Sequence, residues 1–118
     1  MNFYDWKLNI YFIQKGDDLN RLIDNLEYLR CPNIHRIVYK INNFKDCAFI
    51  YTRKKESVII VANWMNVCQL INSLTHEIDH LLNEMYDVWD IDSKSEEAAV
   101  LTGDLYAFIM CKMLFKIK

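Results

Sequence analysis

Two histidines and a glutamate stand at a spacing that suits metal-dependent hydrolysis. Residues 75–80 read Thr-His-Glu-Ile-Asp-His and contain the pattern H-E-x-x-H. In an α-helix, residues four apart project from the same face, so the imidazoles of His76 and His80 can hold one zinc ion. Glu77 lies beside them and can act as the general base that takes a proton from water. The pattern predicts a zinc site in a small hydrolase.

The third ligand of such a site must come from further along the chain, because a catalytic zinc normally has three protein ligands and one open position. Glu96 begins a helical face of small residues, which continues through Ala99, Gly103, Ala107 and Met110. Small residues let two helices approach closely, so we expect Glu96 to be the third ligand. Glu97 is the second choice and Asp92 an outside candidate. Either glutamate is also favourable simply as a negative charge at a helix N-terminus.

The elements that position these residues include several runs rich in β-branched and aromatic side chains. Residues 8–13, 34–41, 47–52 and 57–62 have this composition and are predicted to be strands. The run 57–62 is apolar on both faces, which indicates a strand inside the sheet or one covered by helices.

Three other segments carry apolar residues at helical spacing. The first covers about 17–29, the second begins near the N-cap Asn66 and contains the motif, and the third covers 95–115. The aspartate-rich segment 86–94 is predicted to be a linker between the last two. Ser93 or Ser95 can cap this last helix. The order β-α-β-β-β-α-α predicts an α+β domain in which helices pack on one small mixed sheet.

Size and composition limit the class of protein. The 118 residues predict one domain, 1–118, and a net charge of −2 gives no reason to expect a nucleic-acid partner. The start of the chain does not read as a signal peptide, and the longest apolar runs are shorter than the roughly 20 residues of a membrane span. The four cysteines are widely spaced without a C-x-x-C pair. We therefore expect a reduced, cytoplasmic protein without a membrane partner.

Residues 75–80, followed by Glu96-x-x-Ala99 and Gly103, resemble the gluzincin branch of the zincin metallopeptidases. More closely, residues 48–107 are similar to small zincin-like proteins encoded by bacteriophages and mobile elements of bacteria. In these proteins an apolar hairpin precedes the H-E-x-x-H helix, and a Glu-x-x-Ala helix follows within about 20 residues. The first 45 residues carry no such resemblance.

The resemblance implies a zinc-dependent peptidase that acts on a peptide or protein. His76, His80 and Glu96 would ligate the one catalytic zinc ion. Glu77 would be the general base. A strand at 58–61 would be the edge strand of the sheet or its neighbour, where an extended peptide pairs through main-chain hydrogen bonds.

The sequence does not identify the residues for two roles in such a site, the orientation of a histidine and the stabilisation of the oxyanion. Larger gluzincins often place an aspartate four residues after the glutamate ligand to orient a histidine, and this chain has Val100 there. The candidates to replace it are Asp79, Asp92 and Asp104. A donor for the developing oxyanion is also needed, and Tyr86 and Tyr106 are the phenols near the motif.

Two other functions fit the same residues. One is a catalytically silent regulator or interaction protein of a phage or mobile element. The other is a structural module in which zinc only joins the last two helices. Glu77 would be dispensable in both, whereas the peptidase requires it. His35, the other histidine, is expected on the surface.

Overall fold

A mixed sheet of four strands forms the middle layer of the fold in the computed structural model, which describes residues 1–117. The strands are β1 (Asn2–Phe3), β2 (Trp6–Ile13), β3 (Cys47–Arg53) and β4 (Glu56–Ala62), in the order β1-β2-β4-β3. Strand β4 pairs parallel to β2 and antiparallel to β3, so β4 is internal and β3 is an edge strand. Residues 57–62 are all buried, as their apolar sequence predicts.

Two pairs of helices cover the two faces of this sheet. They are α1 (Asn20–Tyr28) with α2 (Ile34–Asn43) on one face, and α3 (Val67–Val88) with α4 (Glu96–Ile117) on the other. Side chains of β4 point alternately to the two faces of the sheet. Val58 and Ile60 therefore face α1 and α2, while Ile59 and Val61 face α3 and α4. The predicted α+β class is confirmed.

Residues 34–41 form helix α2, so the prediction of a strand there was wrong. The apolar residues Ile34, Ile37, Val38 and Ile41 lie at the spacing i, i+3, i+4 and i+7, which places them on one helical face. That face packs into the core, and Ile41 is fully buried. The β-branched composition suggested a strand, but burial of this face outweighs the small helix penalty of branched side chains.

The other predicted elements are confirmed, with bounds that differ by a few residues. The three remaining strand segments fall within β2, β3 and β4, and the first helix corresponds to α1. The predicted caps of the last two helices are also present. The side chain of Asn66 accepts a hydrogen bond from the backbone N–H of Gln69, at 2.9 Å. Ser95 Oγ accepts one from the N–H of Ala98, at 3.1 Å.

Asn63 follows β4 directly, in the short segment that leads to α3. It is buried and has a left-handed backbone, with φ 58°. Its side-chain amide donates to the carbonyls of Ile41 and Phe44, and its backbone N–H donates to the carbonyl of Ile13 at 2.8 Å. One residue therefore ties the end of β4 to α2 and to β2.

Helix α4 is apolar on its exposed side as well as on its buried side. Its buried residues are Ala98, Leu101, Leu105, Ile109 and Met113. The small-residue face predicted to pack on the motif helix instead faces away from the core, with Ala99, Gly103 and Ala107 exposed. A Cβ added at Gly103 would meet no atom within 4 Å. The predicted close packing of this face was wrong.

Within residues 1–117, α4 is also the helix that could cross a membrane by length and composition. The stretch Glu96–Lys116 contains a window of mean hydropathy 1.5. In this structure its buried residues pack into the same core as α3 and the sheet. The helix is therefore part of the globular domain described here.

Candidate metal site

Helix α3 brings the imidazoles of His76 and His80 together on its exposed side. Their Nε2 atoms are 3.2 Å apart, and the ring planes cross at 85°. Two nitrogens that each lie about 2 Å from a tetrahedral zinc ion would be about 3.3 Å apart. The same distance allows a hydrogen bond between the rings when no ion is present. The pair therefore fits the spacing that shared zinc ligation requires.

Glu77 lies next to this pair, and most of its side chain is buried. Its side chain is only 5% exposed, and no residue among 1–117 forms a hydrogen bond or salt bridge with it. Burial raises the pKa of Glu77 above its ordinary value, while the nearby His76 and His80 lower it to a smaller extent. A carboxylate held in this way is suited to accept a proton.

A groove of about 590 Å³ runs between α3 and the edge strand β3, and we call it the α3–β3 groove. Glu77 and His80 lie in it, and its other lining residues are Phe49, Ile50, Thr52, Asn83, Glu84 and Asp87. Strand β3 has no partner on its outer side within residues 1–117, so an extended peptide can pair with it there. The strand 58–61 is part of β4 and is therefore the neighbour of the edge strand.

The two candidate oxyanion donors, Tyr86 and Tyr106, connect α3 to α4 and do not line the groove. The hydroxyl of Tyr106 donates to Asp79 Oδ1 at 2.8 Å, and the hydroxyl of Tyr86 lies 2.7 Å from Thr102 Oγ1. Because position 79 meets 106 and position 86 meets 102, the two helices run antiparallel. The phenols thus stabilise the helix pair.

The antiparallel pairing leaves Glu96 far from the histidines. Glu96 begins α4, ten residues before Tyr106, which corresponds to about 15 Å along the helix axis. Glu97 lines a separate cavity of about 570 Å³ beside Trp89. Within residues 1–117, no three His, Cys, Asp or Glu side chains are close enough to hold a metal ion together.

The physical reason for this separation is the length of α3. The helix continues to Val88, about two turns beyond His80, before the chain turns back. The structure thus brings together His76, Glu77 and His80 but not Glu96, Glu97 or Asp92.

Gluzincins often have an aspartate at the position of Val100, and three aspartates of this chain were candidates to replace it. In the structure, all three form hydrogen bonds with groups other than the histidines. Their hydrogen-bond donors are Tyr106 for Asp79, the backbone N–H of Lys94 for Asp92, and Tyr4 for Asp104. None of the three bonds to a histidine in the described part of the chain. Of the group, Asp79 is the one next to a proposed ligand in sequence.

Sequence reasoning missed two carboxylates of the groove, Glu84 and Asp87. They follow His80 by four and seven residues, a spacing that places all three on one side of the helix. The spacing is visible in the sequence, but the prediction of a linker at residues 86–94 leaves Asp87 outside the helix, whereas α3 continues to Val88.

Tyr106 gives a test of the α3–α4 contact. Burial first, and then the hydrogen bond and charge of Asp79, raise the pKa of Tyr106 to about 12. Because the pKa is raised in the folded state, the stability that this group contributes is complete below about pH 10 and is lost as the pH rises towards 12. We expect spectrophotometric titration of Tyr106→Phe to lose one tyrosine from the latest step. Tyr28→Phe, which removes an exposed tyrosine, should keep that step, and a late step unchanged in Tyr106→Phe would contradict the contact.

Relatives give no independent guide to this site. Comparisons of the chain with models of protein families, with curated proteins and with solved structures give no match. The function is therefore inferred from the chemistry of His76, Glu77 and His80 and from the groove in which they lie.

Proposed function

We propose that the protein is a zinc-dependent peptidase. One observation carries the proposal: Glu77, whose side chain is largely buried and has no hydrogen-bond partner in the described chain, lies in the same groove as His80, whose Nε2 is 3.2 Å from that of His76. Burial of most of this side chain raises the pKa of Glu77, and a carboxyl group with a raised pKa beside two converging imidazoles favours a chemical role over a structural one.

The roles of the residues follow from their positions. Zinc, when bound, lowers the pKa of water and polarises a carbonyl group. His76 and His80 would hold the ion through Nε2. Glu77 would accept the proton of the attacking water and then deliver it to the leaving amine. The free edge of β3 would hold the substrate extended across the α3–β3 groove.

The third protein ligand stays a prediction. Glu96 was preferred from the sequence, but to reach the histidines α4 would have to slide along α3. Two imidazoles alone leave two positions of a tetrahedral ion for water or substrate. A Glu96→Gln variant therefore distinguishes the two arrangements, because it weakens zinc binding only if α4 moves.

Elemental analysis of the purified full chain tests the metal site. We expect about one zinc per chain after incubation with zinc and gel filtration, and almost none in His80→Ala. His35→Ala is the matched control, because His35 is exposed on α2, on the opposite face of the sheet. Absence of zinc from the wild type, or its full retention in His80→Ala, would show that the proposal is wrong.

A second candidate function is a catalytically silent protein that binds another protein, as in phage or mobile-element regulators. The exposed apolar side of α4 favours it, since Val100 is 54% exposed and Leu114 is 51% exposed on that helix. Full biological activity of a Glu77→Gln variant would support this candidate against the peptidase.

The proposed location is the cytoplasm. All four cysteines are free, and Cys68 and Cys111 are exposed. Exposed free thiols suit a reducing compartment better than an oxidising one. If these thiols are free and exposed, disulfide-linked species should accumulate when the purified protein is stored without reductant. Non-reducing gel electrophoresis measures this.

A further inference from the structure

The wall that α3 contributes to the α3–β3 groove continues past His80 as an acidic surface. Glu84 and Asp87 both line the groove, one and two turns beyond His80. Neither has a salt-bridge or hydrogen-bond partner among residues 1–117, where the one salt bridge joins Lys55 to Asp5. The β3 wall opposite carries no charge, since it consists of Phe49, Ile50 and Thr52.

Two lysines share a cavity with one end of this acidic wall. Lys54 and Lys55 line a neighbouring cavity that also reaches Glu84. The ammonium group of Lys55 is held 2.6 Å from Asp5, so Lys54 alone is available to Glu84, and no salt bridge between them forms in the structure. Asp87 has no lysine or arginine in the groove lining.

A second feature indicates that the groove receives a ligand. Glu77 is 5% exposed, lines the groove and has no hydrogen-bond partner within the described residues. A carboxylate on a largely buried side chain without a partner in the chain leaves its hydrogen-bonding capacity to water or to a ligand in the groove. The free main-chain groups of β3 run along the opposite wall. An extended peptide would pair with this strand and pass over Glu77.

The spacing along the helix sets which peptide residue meets the acidic wall. Glu84 and Asp87 lie about 10 and 15 Å beyond Glu77 along the axis of α3. An extended peptide advances about 3.3 Å per residue. A side chain three to five residues from the bond at Glu77 would therefore reach these carboxylates.

We infer that the α3–β3 groove selects extended peptides that carry lysine or arginine three to five residues from the bond held at Glu77. The inference rests on the proposed function, because it takes Glu77 as the position of the reacting bond. Two unpaired carboxylates attract a cationic side chain, and arginine can bind them with two parallel hydrogen bonds.

The test is fluorescence anisotropy with two labelled peptides that differ only by arginine or glutamine at these positions. The full chain carries Glu77→Gln, so that the peptides stay intact, and zinc is present. We expect the arginine peptide to bind about 5- to 10-fold more tightly, with a preference that falls as salt is added. In a chain that also carries Glu84→Gln and Asp87→Asn, the ratio of affinities should approach one.

The matched control is Asp24→Asn with Glu27→Gln, which removes the same charge from exposed positions of α1 on the other face of the sheet. This control should keep the arginine preference. Equal affinity for the two peptides, no binding of either, or a preference that survives the Glu84 and Asp87 changes would overturn the inference. Loss of the preference in the α1 control would also overturn it, because the effect would then reflect net charge.

Cleavage of the same peptides by the wild-type chain separates this inference from the proposed function. If neither peptide is cleaved while the arginine preference in binding persists, hydrolysis is wrong and the groove is a site for basic peptides. If both peptides are cleaved at equal rates and bind equally, hydrolysis stands and the inference is wrong.

Discussion

Replacement of Glu77 by glutamine should lower peptide hydrolysis by at least about 100-fold, the usual contribution of a general base. Zinc binding should persist, because the change leaves both imidazoles in place and keeps the shape of the side chain. The measurement is the rate of cleavage of a quenched fluorescent peptide, with zinc content determined on the same preparation. Loss of hydrolysis together with retained zinc is the expected result.

Stability measurements show whether Glu77→Gln loses hydrolysis because the base is gone or because the protein unfolds. The folded-state pKa of Glu77 is raised above its ordinary value of 4.5, so the group stabilises the fold below that pH and ceases to do so as the pH rises through the raised pKa. The neutral amide of Glu77→Gln should therefore be at least as stable as wild type at pH 7 without metal. Glu27→Gln, at an exposed site of α1, should keep full activity. An active Glu77→Gln enzyme would rule out the proposed base.

Replacement of Asn63 by aspartate should destabilise the fold by about 2–4 kcal/mol at pH 7. The side-chain amide of Asn63 donates to the carbonyls of Ile41 and Phe44. A carboxylate of the same shape has no N–H to donate and would place negative charge against two carbonyl oxygens. Urea unfolding at pH 7 measures the difference.

Two further variants separate the loss of the hydrogen bonds of Asn63 from the effect of the new negative charge. Asn63→Gly keeps the left-handed backbone without strain and loses only the side-chain hydrogen bonds, so we expect a smaller cost of about 1–2 kcal/mol. Asn72→Asp makes the same chemical change at an exposed position of α3 and should have little effect. A stability of Asn63→Asp equal to that of wild type would contradict the role described for this residue.

The parts of the site that depend on local spacing could be predicted from the sequence. His76 and His80 lie on one helical face because four residues make about one turn, whatever the rest of the chain does. The third ligand depends instead on where α3 ends. The aspartate-rich stretch after residue 85 suggested an early end, yet the helix continues to Val88. That extension moves Glu96 away from the motif.

The environment of α4 could not be predicted from its own sequence. Small residues such as Ala99, Gly103 and Ala107 permit close packing but do not require it, and here they face away from the core. A helix that is apolar on all sides gives no periodic signal for its buried face. Which side is buried depends on the contacts of Tyr106 and Thr102 with α3, which are tertiary.

The parallel pairing of β2 with β4 has a consequence for the order of folding. Strands β3 and β4 and helix α3 are consecutive in the chain, and the turn at Lys54 and Lys55 connects the two strands directly. Strand β2 can join β4 only after a loop of about 40 residues has closed, a slower step than local hairpin and helix formation. We therefore expect the two histidines, Glu77 and the α3–β3 groove to form before β2 docks. Zinc added during refolding would therefore find its ligands assembled before β2 docks.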